Sequence, residues 1–402
     1  MNRRRFLEAV GTVGTGTALA GCNGFASDGT ADLRADACGE YEPTVDGTSP
    51  WRTVCGNPDG TGVVPADDAP DPPLTGDWTF PIDGVSGTTR PVVTSTRVFT
   101  HDMDATFYAV DSETGEGVWS RAIDEPRGSP AVGNGVVVLI REGEVLALDA
   151  ENGTTLWTGP DGHAGLFWGS PIVHEDVAYV PIDLSLVALD LGDGNVRWTH
   201  TTGHETTGTP ARVGDTVFYG DTDTYLYALD SATGEERWRF KTDGPIESNV
   251  SAVDDAVFFA TEAGTAYGVD RTTGTLQWEQ SVDGEIRVVA SDGAHAYVGT
   301  DERLYALQAS DGIECWSTGA YAGAYDSGLA VADGRVYAPK TSGRTARAGL
   351  MVLNAATGER QWATDYRAYE RGTDLGMGPV VADGAVYATG GGPGTLALVR
   401  LS

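Results

Sequence analysis

The sequence predicts an all-β protein, an eight-bladed β-propeller whose blades are four-stranded antiparallel sheets. Three observations in the 402 residues predict it: a nine-residue motif occurs seven times, its copies are about forty residues apart, and an isolated tryptophan segment precedes the first copy. A period of roughly 40 to 45 residues that holds four short strands is typical of a propeller blade rather than of a helical repeat.

The repeated motif reads Asp-x-x-Thr-Gly-x-x-x-Trp or a close variant, and it predicts a hairpin. Each copy follows an alternating or apolar run, such as residues 225–229, which indicates a strand. The Asp carboxylate can accept backbone N–H groups, and the Gly can adopt the positive φ that the turn needs. The Trp then lies on the outermost strand, where its flat ring can pack between blades. The copies end at Trp119, Trp157, Trp198, Trp238, Trp278, Trp316 and Trp362.

The two ends of the chain predict how the ring closes. The last repeat supplies three strands, around residues 379–381, 385–388 and 395–399, and stops before another turn and Trp. The segment 76–82 contains Trp78 but has no turn before it. We expect this segment to be the fourth strand of the last blade, because closure removes two exposed sheet edges. The predicted propeller domain spans residues 75–402.

Residues 1–22 predict an export signal. Arg3-Arg4-Arg5-Phe6-Leu7 matches the twin-arginine pattern, and the weakly apolar stretch that follows is too short to span a bilayer stably. The segment ends Leu19-Ala20-Gly21-Cys22, which is typical of a lipoprotein processing site. We therefore expect export in the folded state and a lipid on Cys22 that anchors the protein to the outer face of the cytoplasmic membrane. The alternative is an ordinary signal peptide in which Cys22 is a plain thiol.

Residues 23–74 are polar and rich in Gly, Pro and Asp, which predicts a tether followed by a strap across the propeller. Cys38 and Cys55 lie 17 positions apart in this segment, and we expect them to form a disulfide in an oxidising exterior. Cys315 precedes Trp316 on an outer strand, and we expect a small buried residue without chemistry there.

The composition predicts a halophilic, archaeal source. The formal net charge is −32, and only Lys241 and Lys340 are lysines among the 26 basic residues. Such a surface suits molar salt, where the screening length is about 3 Å. The alternative is an acidic surface that recruits cations or basic partners. Nucleic acid is excluded as a partner, because no basic patch is present to contact phosphate.

Candidate functional residues concentrate in the connections from the outer strand of one blade to the inner strand of the next. These connections converge at one mouth of the central channel, and convergent polar and aromatic side chains favour a binding site. A protein partner or a small ligand is expected there, and Trp168 is either a stacking platform for a flat ligand, a plug in the channel or a packing anchor. The predicted residues are His163, Trp168, Glu247, Arg287, Tyr325, Asp326, Arg371 and Asp374.

Other patterns give weaker signals. The pairs Asp102/Asp104 and Asp221/Asp223 are either calcium ligands or turn residues, and turn residues are the favoured interpretation. No catalytic residue and no metal ligand is predicted. Two Asn-x-Ser/Thr acceptors occur, of which Asn152 lies in an exposed repeat turn and is the predicted glycosylation site, whereas Asn249 leads into an inner strand.

The extended motif Ala-Leu-Asp-x-x-Thr-Gly-x-x-x-Trp resembles the tryptophan-docking repeat of the pyrroloquinoline-quinone (PQQ) type propellers. That family includes quinoprotein alcohol dehydrogenases and the outer-membrane assembly lipoproteins of bacteria. The resemblance covers about residues 49–402, and the lead-in from Trp51 to Gly62 resembles that of archaeal members. It strongly implies the propeller fold, but the same fold carries many activities.

The resemblance implies two functions, and the residues of this sequence distinguish between them only in part. The dehydrogenases hold a quinone between a Trp and a disulfide of adjacent cysteines, with calcium; no two cysteines adjoin in this sequence, so no residue carries over. The preferred hypothesis is a haloarchaeal lipoprotein that acts as a non-enzymatic scaffold for proteins or ligands, without a cofactor. The alternative is a PQQ- and calcium-dependent redox enzyme with a divergent quinone site. A third hypothesis is a surface that binds sugars or polymers.

Overall fold

The computed structural model describes residues 32–33, 38, 41–45, 55–83, 88–102, 104–141, 144–160, 169–206, 208–319, 328–340, 349–365, 378–392 and 395–402. These residues form eight antiparallel sheets arranged as a β-propeller, which confirms the predicted fold class. The first strands of most neighbouring blades adjoin one another, including those of blades 8 and 1. The first strands therefore line the central channel, and the Trp-bearing strands lie outermost.

Two short elements precede the blades, β1 (Asp32–Leu33) and the 3-10 helix η1 (Ala66–Asp68). Blade 1 contains β3 (Val92–Val93), β4 (Arg97–His101), β5 (Thr106–Asp111) and β6 (Gly117–Ala122); blade 2 contains β7 (Pro126–Gly133), β8 (Val136–Arg141), β9 (Glu144–Asp149) and β10 (Thr155–Thr158). Blade 3 contains β11 (Ile172–His174), β12 (Val177–Ile182), β13 (Ser185–Asp190) and β14 (Val196–Thr201); blade 4 contains β15 (Ala211–Val213), β16 (Thr216–Gly220), β17 (Tyr225–Asp230) and β18 (Glu236–Lys241).

Blade 5 contains β19 (Ser251–Ala252), β20 (Ala256–Ala260), β21 (Thr265–Asp270) and β22 (Leu276–Ser281); blade 6 contains β23 (Ile286–Ser291), β24 (His295–Thr300), β25 (Leu304–Gln308) and β26 (Glu314–Thr318). Blade 7 contains β27 (Ala330–Ala332), β28 (Arg335–Lys340), β29 (Gly349–Asn354) and β30 (Arg360–Asp365); blade 8 contains β31 (Val380–Ala382), β32 (Ala385–Gly392), β33 (Thr395–Leu401) and β2 (Gly76–Ile82). Blade 6 differs from the prediction, because β1 adds a fifth strand outside β26.

The ring closes between the two ends of the chain, as the sequence predicts. Strand β2 pairs antiparallel with β33, with Trp78 opposite Arg400 and Ile82 opposite Leu396. Arg400 also forms an ion pair with Asp77. Strands β2, β33, β32 and β31 therefore form one continuous hydrogen-bonded sheet.

The repeat turns connect neighbouring blades. In the first copy, Oδ1 of Asp111 accepts the backbone N–H of Thr114 at 2.9 Å. Gly115 has a φ of +73°, and a side chain there would overlap the Trp78 ring that lies against it. The Trp78 indole donates a hydrogen bond to the Ser112 carbonyl at 3.2 Å. Each later turn accepts the Trp of the preceding blade in the same way, through Trp119, Trp157, Trp198, Trp238, Trp278 and Trp316.

The hydrophobic core lies between successive blades. For example, Val138 and Ala147 of blade 2 pack against Val180 and Leu189 of blade 3, and all four are buried. Trp157 belongs to the same cluster. The Trp of the repeat therefore packs at the outer end of the apolar layer between two blades.

The antiparallel order gives the ring two different faces. The Asp-x-x-Thr-Gly turns lie on the same face as the turns between first and second strands, and we call this side the repeat-turn face. The connections between blades lie on the opposite side, together with the turns between second and third strands, and we call it the loop face. Of the predicted channel-mouth residues, Glu247 and Arg287 lie in the described part of the chain, and both belong to the loop face.

Residues 57–64, which we call the strap, cross the channel at the repeat-turn face. Carbonyl groups of the strap accept backbone N–H groups from the first strands of four consecutive blades: Pro58 from Arg212, Asp59 from Ala252, Thr61 from Ser291, and Gly62 from Val331. These four partners occupy equivalent positions, opposite Val217, Val257, Ala296 and Val336. The strap therefore satisfies main-chain groups that would otherwise face the channel.

The predicted disulfide between Cys38 and Cys55 is wrong. Cys38 bonds to Cys315, with a Cα–Cα distance of 5.5 Å and a separation of 277 residues. The pairing of β1 with β26 explains this, because it places the chain just after β1 beside the outer strand of blade 6. Cys55 is buried just before the strap instead, and its carbonyl accepts the Gly62 N–H. Cys315 is buried as expected, but it forms a disulfide, which the sequence did not predict.

No helix among the described residues has the length and apolar character needed to cross a membrane. The predicted leader, including Cys22, lies outside the described residues.

Candidate functional site

The structure describes part of the predicted channel-mouth site. Glu247 lies in the connection between β18 of blade 4 and β19 of blade 5, and Arg287 lies in β23 of blade 6. The other predicted residues lie outside the described part of the chain, namely His163, Trp168, Tyr325, Asp326, Arg371 and Asp374. The described part of the site therefore lies in blades 4 to 6.

Glu247 and Arg287 are brought together with two glutamates that the sequence analysis did not identify. Glu262 lies in the turn between β20 and β21, and its negative charge raises the pKa of Glu247. Nη2 of Arg287 donates to Oε2 of Glu285 at 2.6 Å. We call these four residues the loop-face carboxylate cluster. A sequence signal for it was absent, because its members come from three separate turns and connections.

The electrostatics of this cluster favour a proton on Glu247. Partial burial raises the pKa of Glu247 to about 7, and the negative charges of Glu262 and Glu285 contribute to the rise. Arg287 opposes it. Glu247 is exposed as a residue, so the proton can exchange with solvent. Near neutral pH the cluster can therefore bind or release a proton, and a cationic group from outside could take the place of that proton.

A buried arginine crosses the inner ring beneath this face. Arg90 lies just before β3 and is 1% exposed. Its Nη2 donates to the carbonyls of Leu329 at 3.1 Å and of Pro379 at 2.7 Å. A side chain at Gly328 would overlap this guanidinium group. Arg90 thus ties blade 1 to blades 7 and 8 at the channel, a role that the sequence pattern does not indicate.

Asp292 holds the segment that precedes the strap. Its Oδ2 accepts the hydroxyls of Tyr41 at 2.8 Å and of Tyr297 at 2.7 Å, and its carbonyl accepts the N–H groups of Thr44 and Val45. Burial raises the pKa of Tyr41, and the negative charge of Asp292 adds to the rise. The Tyr41 hydroxyl therefore stays protonated and remains a hydrogen-bond donor.

A cavity of about 370 Å³ lies between this segment, the strap and the repeat-turn face of blades 6 and 7. Tyr41, Val63, Pro65, Asp292 and Val331 are among its lining residues. Both oxygens of Asp292 already accept hydrogen bonds, from Tyr41 and Tyr297 and from the backbone of β24. The cavity therefore offers mainly apolar contacts and backbone to an incoming molecule.

The paired aspartates act as turn residues. Oδ1 of Asp102 accepts the backbone N–H groups of Asp104 at 3.0 Å and Thr106 at 2.9 Å, and Oδ2 accepts the Tyr108 hydroxyl at 2.9 Å. Asp221 has the same backbone role in blade 4. Among the described residues, no three His, Cys, Asp or Glu side chains are grouped closely enough to hold a metal ion.

Comparison with known proteins identifies the relatives of this ring. A family model described as outer membrane protein assembly factor BamB matches residues 44–220, 200–300 and 222–401. The chain is similar in structure to BamB from Moraxella catarrhalis, at 18% identity and a TM-score of 0.63 over 81% of this chain and 97% of that chain. No curated protein sequence matches it.

Two enzymes have similar folds. Quinohemoprotein alcohol dehydrogenase from Comamonas testosteroni matches at 15% identity and a TM-score of 0.69, over 87% of this chain and 80% of that chain. A europium-containing methanol dehydrogenase matches at 14% identity and a TM-score of 0.71, over 88% of this chain and 98% of that chain. At such identities the similarity to solved structures establishes the fold alone.

Proposed function

The chain belongs to the family of the outer membrane protein assembly factor BamB, and we propose that its propeller is a non-enzymatic scaffold that binds a protein partner on its loop face. The observation that carries this proposal is the difference between the faces. The strap hydrogen-bonds to the inner strands of blades 4 to 7 at the repeat-turn face, whereas the described part of the loop face presents irregular connections and the carboxylate cluster. Irregular connections on a rigid ring are where binding residues usually lie.

The charge of the cluster indicates the chemistry of the partner. Three glutamates and one arginine leave an excess of negative charge on the loop face of blades 5 and 6. A partner that contributes Lys or Arg side chains would replace the proton on Glu247 and gain charge-assisted hydrogen bonds. We therefore propose a partner with basic residues at its contact surface.

We further propose that the protein is exported by the twin-arginine route and is lipid-anchored at Cys22. The disulfide between Cys38 and Cys315 supports export, because disulfides persist in oxidising compartments. The acidic, lysine-poor composition supports a halophilic archaeal source. Mass spectrometry of the mature protein tests the anchor: a lipid on an N-terminal Cys22 is expected, and an intact leader would contradict it.

Site-specific photo-cross-linking in the native host tests the partner. A photoreactive residue is placed at Glu262 on the loop face or, as a matched control, at Thr233 in the repeat turn of blade 4; both positions are exposed. A discrete cross-linked product is expected from position 262 and none from position 233. Equal products from both positions, or no product from position 262, would contradict a loop-face partner.

The competing candidate is a quinone-dependent redox enzyme, which the similarity in fold to the two dehydrogenases favours. Its test is the addition of PQQ and calcium to the purified protein in high salt, followed by dye reduction. Saturable binding with turnover would overturn the scaffold proposal. Absence of turnover together with the cross-link from position 262 would support it.

A further inference from the structure

We propose that Asn152 is an N-linked glycosylation site on the repeat-turn face and that Asn249, the second acceptor sequence, stays unmodified. This inference rests on the export part of the proposed function, because the glycan is added outside the cytoplasm. Both residues occur in an Asn-x-Ser/Thr sequence, Asn152-Gly153-Thr154 and Asn249-Val250-Ser251. The fold places the two acceptors in opposite environments.

Asn152 stands in the exposed repeat turn between β9 and β10. Its backbone N–H donates to Oδ1 of Asp149 at 3.1 Å, and its own Oδ1 accepts the Thr154 N–H at 2.9 Å. Asn152 and Thr154 are both exposed, and Gly153 between them lies against the Trp119 ring. The turn thus engages the amide oxygen with the chain, while the residue as a whole remains exposed.

Asn249 uses its amide inside the ring. Its Nδ2 donates to the Val289 carbonyl at 2.7 Å, and its Oδ1 accepts the Val289 N–H at 3.1 Å, so the side chain pairs with the first strand of blade 6. Ser251, which completes this acceptor sequence, is 0% exposed. Modification of Asn249 would require both hydrogen bonds to break and the inner ring to open.

The export route makes this difference decisive. A twin-arginine substrate crosses the membrane after folding, so a glycosyltransferase outside the cell meets the closed propeller and not an extended chain. Exposure in the folded state then determines which acceptor reacts. A substrate that crossed unfolded would present Asn152 and Asn249 equally.

The reaction needs an activated sugar, and we assign a lipid-phosphate-linked oligosaccharide as the donor class. The amide nitrogen of Asn152 attacks the anomeric carbon of the donor, and a carbon–nitrogen bond forms. The bond between that carbon and the phosphate oxygen breaks, and the lipid phosphate leaves with the electron pair. The amide proton passes to a base of the transferase. No oxidant or reductant is required.

The repeat itself supplies conservative variants. Asp193 occupies the position of Asn152 in the turn of blade 3, where its Oδ1 accepts the Asn195 N–H at 3.0 Å. Asn152→Asp should therefore keep the turn and remove only the acceptor nitrogen. In blade 5, Thr273-Gly274-Thr275 occupies the same exposed turn. Thr273→Asn would create a second Asn-Gly-Thr sequence there, with Thr273→Asp as its control.

Intact-mass and glycopeptide analysis of the full chain, isolated from the native host, tests the proposal. We expect one glycan on the peptide that contains Asn152, its complete loss in Asn152→Asp, and a second glycan in Thr273→Asn but not in Thr273→Asp. An unmodified Asn152, or a glycan on Asn249, would overturn the proposal. The lipid on Cys22 is read in the same spectrum, so a lipidated but unglycosylated protein would refute the inference and leave export intact.

Discussion

The two faces of the ring are built by different means. The repeat-turn face is made of near-identical turns, each bonded to the Trp of the preceding blade, and the strap adds backbone hydrogen bonds across four blades. The described loop face carries connections of varied sequence and a carboxylate cluster drawn from separate segments. The regular hydrogen bonds of the repeat-turn face therefore add to the stability that the core between the blades provides, and the loop-face connections are freer to vary for binding.

The largest effect is expected from a Trp of the repeat-turn face. Trp316 is 0% exposed, and its indole donates to the Ala355 carbonyl at 2.9 Å. Trp316→Ala should lower the free energy of unfolding by about 3–5 kcal/mol, because it leaves a large cavity between blades 6 and 7. Denaturant unfolding in high salt measures the change. Glu262→Ala on the loop face is the control and should change the free energy of unfolding by no more than about 0.5 kcal/mol. Equal losses in the two variants would contradict the difference between the two faces.

Loss of the disulfide should have the next largest effect. Cys38→Ser should lower the free energy of unfolding by roughly 2–4 kcal/mol, because the disulfide restricts the unfolded chain. Thermal melts with and without reductant measure this. Reductant should lower the melting temperature of the wild type and of Cys55→Ala, but not that of Cys38→Ser. A wild-type melting temperature that is insensitive to reductant would contradict the Cys38–Cys315 bond.

The contrast between the disulfide and the ring closure shows what the sequence could predict. The strand that contains Trp78 is identifiable because its Trp lacks a turn and the last blade lacks a strand. The partner of Cys38 is not identifiable, since a 17-residue spacing to Cys55 is compatible with a disulfide and the 277-residue separation from Cys315 leaves no local pattern. Contacts that depend on a short strand such as β1 are set by the folded surface and not by periodicity.

The residues of the candidate site also divide into those that the sequence predicts and those that it does not. The proximity of Glu247 and Arg287 was predictable because both lie on the chain just after an outer strand. Glu262 and Arg90 were not, because a single charged residue in a turn has no distinguishing spacing. The strap was recognisable by composition, but its four backbone hydrogen bonds depend on main-chain groups that no side-chain pattern reports.

A smaller effect is expected from the strap. Gly60 has a φ of +71°, and a Cβ there would overlap the Val250 carbonyl oxygen. Gly60→Ala should cost about 1–3 kcal/mol and speed amide hydrogen exchange at Arg212 and Ala252, whose N–H groups the strap accepts. Gly76→Ala is the control, because a Cβ there meets nothing within 4 Å. Unchanged exchange in Gly60→Ala would show that the strap does not hold the channel.

The smallest effect concerns pH and the loop face. The pKa of Glu247 in the folded protein is about 7, above its ordinary value of 4.5. A raised carboxyl pKa contributes stability below pH 4.5 that is lost as the pH rises through 7. The melting temperature of the wild type should therefore fall between pH 5 and pH 8 more than that of Glu247→Gln, by a small amount because the residue is exposed. Equal slopes in the two proteins would contradict the raised pKa of Glu247.

Hydrogen–deuterium exchange in native membranes, compared with the purified protein, tests most directly that the loop face is the working face. We expect bound partner to slow exchange in the loop-face turns 222–224, 261–264 and 301–303, and to leave the repeat turns 231–235 and 271–275 unchanged. Protection confined to the repeat turns, or no protection on either face, would contradict the assignment of the partner to the loop face.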